Sequence, residues 1–225
     1  MESRLNNYIK IFSIIFTGIL SVGVAIPCYG YDNNEVKVSI KRDVKEITLI
    51  AGIDYRHDGS QLFRRHYDAG AKFPLSFLGD GWSFAAHYRN VYTKSDDGTW
   101  DLEKRPYGQL QKTFRTSATE WFPDLKWGIR TRQEFRFKEN REDTTRNRSR
   151  IEIKSGKAYL KVKPFISNEF FFDFDEGKYN KNRTILGIGL PKFKGATSSI
   201  YFKFVTEIED GDDDHTSSLV FKVGF

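Results

Sequence analysis

From Trp127 the chain reads W-G-I-R-T-R-Q-E-F-R-F, and successive residues alternate in character. Arg130, Arg132, Glu134 and Arg136 share one parity, while Ile129, Thr131, Phe135 and Phe137 share the other. Side chains of a strand point to opposite faces in turn, so this is a ribbon charged on one side and apolar on the other. The C-terminus repeats the split, with Leu219, Phe221, Val223 and Phe225 against Ser218, Val220, Lys222 and Gly224. Runs of this period predict strands at 44–57, 63–74, 82–94, 99–114, 125–138, 145–154, 158–174, 182–191, 197–208 and 217–225. That makes about ten strands. The segment 36–42 also alternates and 116–124 is irregular, which leaves twelve open.

Parity sorts the two faces along the whole chain. One carries Leu49, Ala51, Ile53 and Tyr55, then Trp82, Phe84, Ala86, Tyr88 and Tyr92, and later Leu160, Val162, Ile166, Phe170 and Phe172. The other carries Asp54, Arg56, Arg64, His66, Asp68, Lys72, His87 and Arg89, then Glu103 and Arg105. It continues through Arg146, Arg148, Arg150 and Glu152, Lys161, Lys163, Glu169 and Asp173, and Arg183, Lys203 and Glu207. An arginine facing hydrocarbon near the bilayer midplane costs about 2–4 kcal/mol, so so many on one face cannot point to lipid. The predicted fold is therefore all-β: a single closed antiparallel transmembrane β-barrel, greasy outside and charged inside. An even count returns both termini to one side, and Trp82, Tyr92, Trp100, Trp127 and Phe225 lie near strand ends, where interfacial aromatic girdles form.

Two arrangements of the interior follow. Arg130, Arg132, Arg136, Arg148 and Arg150 can interlock with Glu103, Glu134, Glu152 and Glu169 in a salt-bridged plug, since ten strands enclose a lumen that long side chains largely fill. Alternatively the surplus positive charge, including Arg105, Arg146 and Arg183, lines a wet channel with a ladder of sites for small anionic solutes.

Composition narrows the class and the address. The first thirty residues place Arg4 and Lys10 around a short basic region, follow it with an apolar stretch at 11–26, and end in Cys28-Tyr29-Gly30. This reads as a secretory signal peptide, 1–30, cut after Gly30 and leaving a barrel domain at 31–225. Sixteen apolar residues fall short of the roughly 20 that a spanning helix needs. The sole cysteine, Cys28, leaves with the signal, so a thiol nucleophile and disulfides are excluded from the mature chain. A net charge of +6 raises nucleic acid as a partner, yet the positives alternate with apolar residues instead of clustering, and none is expected. The mean hydropathy of −0.56 does not argue against a membrane, because alternating strands average to polar.

The connections fall into two alternating sets. Those at 58–60, 95–98, 139–144, 175–177 and 210–214 are acidic and turn-rich, and face outward if the N-terminus is periplasmic. All are short, which leaves little wall for a substrate cleft. His57 with Asp58, His66 with Asp68, and His215 after Asp212, Asp213 and Asp214 lack a serine or paired acid at a catalytic spacing, so no catalytic residue is assigned. The residual enzyme reading is an outer-membrane hydrolase with a rim site near His57, Asp58 and His215. The run 210–214 lacks the ligand pattern of a calcium loop and reads as a solvated rim, so no metal and no cofactor is expected.

Several motifs carry a family likeness: E-K-R-P-Y at 103–107, I-R-T-R-Q-E-F-R at 129–136, R-N-R-S-R-I-E-I at 146–153, P-F-I-S-N-E-F-F-F at 164–172 and N-R-T-I-L-G-I-G at 182–189. With them the chain resembles the bacterial proteins catalogued as domain of unknown function 2490. The likeness implies an exported outer-membrane barrel of a Gram-negative bacterium and supplies no catalytic residues. Through I-D-Y-R-H-D at 53–58 and its basic lumen, the chain is also similar to small porins for acidic oligosaccharides of the oligogalacturonate type. The expected partners are outer-membrane lipid, small anionic solutes, and the barrel-assembly machinery engaging the last strand, which ends at Phe225.

Overall fold

A computed structural model describes residues 33–116, 124–139, 141–193, 195–209 and 212–225, so the expected signal peptide lies outside the described residues. Among the described residues eleven strands follow one another: β1 Asn33–Val44, β2 Ile47–Asp58, β3 Gln61–Pro74, β4 Trp82–Lys94, β5 Trp100–Thr116, β6 Leu125–Lys138, β7 Thr144–Ser155, β8 Lys163–Asp173, β9 Lys178–Gly189, β10 Thr197–Glu209 and β11 Asp212–Gly224. Each hydrogen-bonds to its sequence neighbours, and β1 also pairs with β11, which closes the sheet into a barrel. The strand-to-strand pairing is antiparallel everywhere except at this seam.

The count is one above the ten that periodicity predicts. The added strand is β1, whose core is the alternating segment 36–42, and it changes the topology. In a ring of antiparallel hairpins an odd total forces one parallel pair, here Asn33–Ser39 alongside 218–224 in a register of seven residue pairs. Two backbone bonds finish the seam: the Lys41 amide donates to the Phe225 carbonyl at 2.8 Å, and the Phe225 amide to the Ser39 carbonyl at 2.9 Å. The two ends of the described barrel therefore lie on opposite rims, and the expectation that they share one side is corrected. Asn33 stands at the rim with the acidic connections, and Phe225 at the other. A periplasmic N-terminus would thus turn the acidic set inward rather than outward.

Parity decides what each face meets. Val36, Ile40, Leu49, Ile53, Phe84, Tyr88, Ile129, Phe135, Ile151, Phe170, Ile200, Phe202 and Phe221 are all exposed, and together they form an apolar outer belt. The inward parity is buried and polar, with Glu35, Glu134 and Glu169 at 2% exposure or less. Aromatic contacts gather near both ends: Tyr67 with Tyr92 at 6.0 Å and Phe172 with Tyr179 at 5.0 Å toward the acidic rim, Phe114 with Trp127 at 6.1 Å toward the other.

The predicted strand at 158–174 begins late, at Lys163, for a local reason. Leu160 and Lys161 both take positive φ, 49° and 69°, and Tyr159 and Val162 exchange backbone bonds at 2.8 and 2.9 Å around them. This is a two-residue turn with φ positive at both central positions, normally the place of Asn-Gly. With Leu-Lys there, its sequence reads as continuing strand, and Leu160, Val162 and Lys161 belong to the turn rather than to either face. At the acidic rim the Asp97 carboxyl accepts bonds from the Thr99 hydroxyl at 2.7 Å and amide at 2.9 Å, which hold it below the usual carboxylate range.

The seam makes a specific demand. A Val36→Cys, Phe221→Cys double variant places the two thiols at paired positions on the outer face. Mild oxidation of the refolded protein is expected to join them and make the heated, unreduced chain migrate faster than the reduced one. Failure to cross-link would mean that β1 does not close the ring.

Candidate functional site

The inward faces of β6 to β9 build one connected network of ions. Glu134 on β6 is fully buried and receives three guanidinium groups: Arg148 at 2.6 Å, Arg146 at 2.8 Å and Arg132 at 3.3 Å. Glu169 on β8 receives Arg148 at 2.9 Å and Arg183 at 3.3 Å, and pairs with Arg130 as well. Arg148 thus joins the two carboxylates, its planar fork giving one nitrogen to each. Register explains the arrangement. Arg130 lies opposite Arg150 and Arg132 opposite Arg148, so each guanidinium must turn from its opposite number to a carboxylate along its own strand or across the sheet.

Aromatic rings fill the gaps between these charges. Phe171, only 1% exposed, sits under Arg148 at 4.7 Å and under Arg146 and Arg183 at 5.0 Å. Tyr107 lies under Arg132 at 4.0 Å and gives its hydroxyl to Asp68 at 2.7 Å. Asp68 also accepts from Arg89 at 2.8 Å and meets His87 Nδ1 at 2.7 Å. Gly70 leaves room for that histidine, since a Cβ there would lie 2.4 Å from the imidazole ring.

A second network covers the opposite wall. Glu35 on β1 is 1% exposed and binds Lys203 at 2.5 Å, and Lys37 and Arg56 at 2.9 Å each. Asp54 adds contacts to Lys37 at 3.1 Å and His66 at 3.4 Å. Nearer the acidic rim, Glu103 holds both Arg105 and Arg136 at 2.6 Å. Glu152 pairs with Arg150 and with Lys154 at 2.8 Å, toward the other end.

Between the walls lies a cavity of about 920 Å³, reaching from the level of Glu139 and Glu176 at the acidic rim to that of Ile50, Arg130 and Lys222. Arg105, Arg130, Arg132, Arg136, Arg146, Arg148, Arg150, Arg183, Glu103 and Glu169 line it. Glu134 lies beneath the arginines, and Glu152 lies outside the lining. Among the described residues the lining has seventeen Lys or Arg against nine Asp or Glu. Sequence reasoning missed Glu35, because β1 was not counted, and Phe171, because an aromatic between Phe170 and Phe172 reads as lipid-facing. Parity with Glu169 and Asp173 was the signal for Phe171.

The candidate hydrolase residues are not brought together. His57 follows a register shift in β2 and pairs along the backbone with Asn34 on β1 and Leu62 on β3. His215 Nδ1 meets the Thr206 hydroxyl at 3.2 Å. Among the described residues no group of three or more His, Cys, Asp or Glu is placed to hold a metal ion.

The family model for proteins of unknown function DUF2490 matches residues 32–207. No curated protein matches the chain. Among solved structures, a NanC porin in a rhombohedral crystal form is similar at 13% identity and a TM-score of 0.48, over 84% of this chain and 90% of that one.

Removal of the most deeply buried carboxylate tests the network. Glu134→Gln leaves three buried guanidinium groups short of a partner and is expected to lower unfolding stability by about 3–5 kcal/mol in urea titrations of the refolded barrel. Glu152→Gln, at a more open pair, is expected to cost less than about 1 kcal/mol. Equal effects would mean that the buried network does not hold the barrel together.

Proposed function

The chain belongs to the family of proteins of unknown function DUF2490, and from that premise we propose that it is an integral outer-membrane barrel whose cation-rich lumen admits small anionic solutes. The observation that carries the reading is the lining itself, seventeen basic side chains against nine acidic ones around a cavity of about 920 Å³. A lumen with excess fixed positive charge concentrates anions and repels cations, and closely spaced sites let an anion pass from one to the next. The outer surface supports the location. A belt of exposed Val, Ile, Leu and Phe far exceeds the apolar patch a soluble monomer carries. Arg65, over the rings of Tyr92 at 4.9 Å and Trp100 at 4.5 Å, suits the level of lipid headgroups.

A second reading, an occluded barrel with a structural plug, is favoured by one feature. Arg132, Glu134, Arg148 and Phe171 are all buried and fill the wall between β5 and β8. The two readings differ in what a bilayer recording gives. The refolded protein in a planar bilayer is expected to carry anion-selective current whose selectivity weakens at high salt. Lys138→Glu with Lys222→Glu, two lining cations outside the network, is expected to roughly halve the anion-to-cation permeability ratio. Silence in protein whose gel migration is heat-modifiable would support the plug and overturn the pore.

A further inference from the structure

Arg64, on the inward face of β3, differs from the other arginines that the strands carry into the lumen. Among the described residues its guanidinium donates no hydrogen bond and lies in no ion pair, and its Nε is fully shielded from solvent without a partner. The residue directly opposite on β2 is another cation, Arg56, which is already engaged by Glu35 at 2.9 Å. Its other charged neighbours include Arg105, Arg136, Lys181, which is itself paired with Glu207, and one carboxylate, Glu103, which the two arginines share. Register sets Arg64 level with Thr93 on β4 and Asp101 on β5, two residues from Glu103, and Arg64, Arg105, Arg136 and Glu103 all line the cavity.

We propose that Arg64, Arg105 and Arg136 form a binding site for a small doubly charged oxyanion of the sulfate or phosphate type. Three guanidinium groups stand against one carboxylate, which leaves a local surplus of two positive charges that such an ion matches. A half-buried cation without a counter-charge is unfavourable, whereas an oxyanion offers the bidentate geometry that the arginine fork fits. Glu103 has its oxygens on Arg105 at 2.6 Å and on Arg136 at 2.6 Å, so it orients those two groups and leaves Arg64 for the guest. The site rests on the anion-accepting reading of the lumen for its route of access, and its occupancy is measured without any current.

The test uses the refolded full barrel in detergent and follows the temperature at which its gel migration changes, in sodium sulfate and in sodium chloride at equal ionic strength. Sulfate is expected to raise the midpoint by on the order of 3 °C in the wild type. Arg64→Gln removes the unpaired cation. It is expected to raise the midpoint in chloride and to abolish the sulfate increment, whereas a purely structural arginine would lower the midpoint in both salts. Lys222→Gln, far along the lumen from this site, is expected to retain the increment. Anion-selective current with no sulfate effect, or a sulfate effect that survives in Arg64→Gln, overturns the site while leaving the pore. A sulfate increment lost in Arg64→Gln in a barrel that carries no current supports the site and overturns the pore.

Discussion

The fork of Arg148 between Glu134 and Glu169 is the contact on which the interior depends. It ties β6, β7 and β8 through side chains alone, and Arg130, Arg132, Arg146 and Arg183 are each held by one of the same two carboxylates. The constraint behind it is the enclosure of charge. A closed sheet with an apolar exterior leaves its polar parity nowhere to go but inward, and each group so enclosed needs an opposite charge, a donor, an aromatic face or water. Phe171 and Tyr107 serve as the faces, spacing guanidinium groups that the register would otherwise set side by side.

Sidedness was legible because a period of two is unambiguous: once Arg130 faces in, so do Arg132, Glu134 and Arg136, and the buried ones among them bear this out. What the sequence withholds is register. Arg148 and Glu169 are twenty-one residues apart, and nothing in the spacing says that Arg150 stands opposite Glu169 while Arg148 reaches across to bond it. Strand ends were harder for a different reason. The β1 pattern ends in Lys-Arg-Asp, with charge on both parities, and the turn at Leu160 and Lys161 has no glycine or asparagine to mark it. Arg64 was assigned to the lumen by parity, but its isolation shows only when the partners of Arg56, Arg105 and Arg136 are known.

The two walls of the lumen differ in kind. On the β5 to β9 side, arginines outnumber the acids they share, and the surplus is spread over rings and diagonal contacts. On the β1, β2 and β10 side the surplus is smaller, with Glu35 and Asp54 shared among Lys37, Arg56 and Lys203. A solute in the cavity would therefore meet its strongest attraction along one side, where the charges are least neutralised.

The parallel seam sets the order of assembly. Its partners, Asn33–Ser39 and 218–224, stand at the two extremes of the described chain, so theirs is the longest loop that must close, while every other pairing joins neighbours. Long-range pairing carries the largest entropy cost and comes last. Until the final strand has docked, the sheet remains an open ribbon with two bare margins, vulnerable to pairing with another copy of itself.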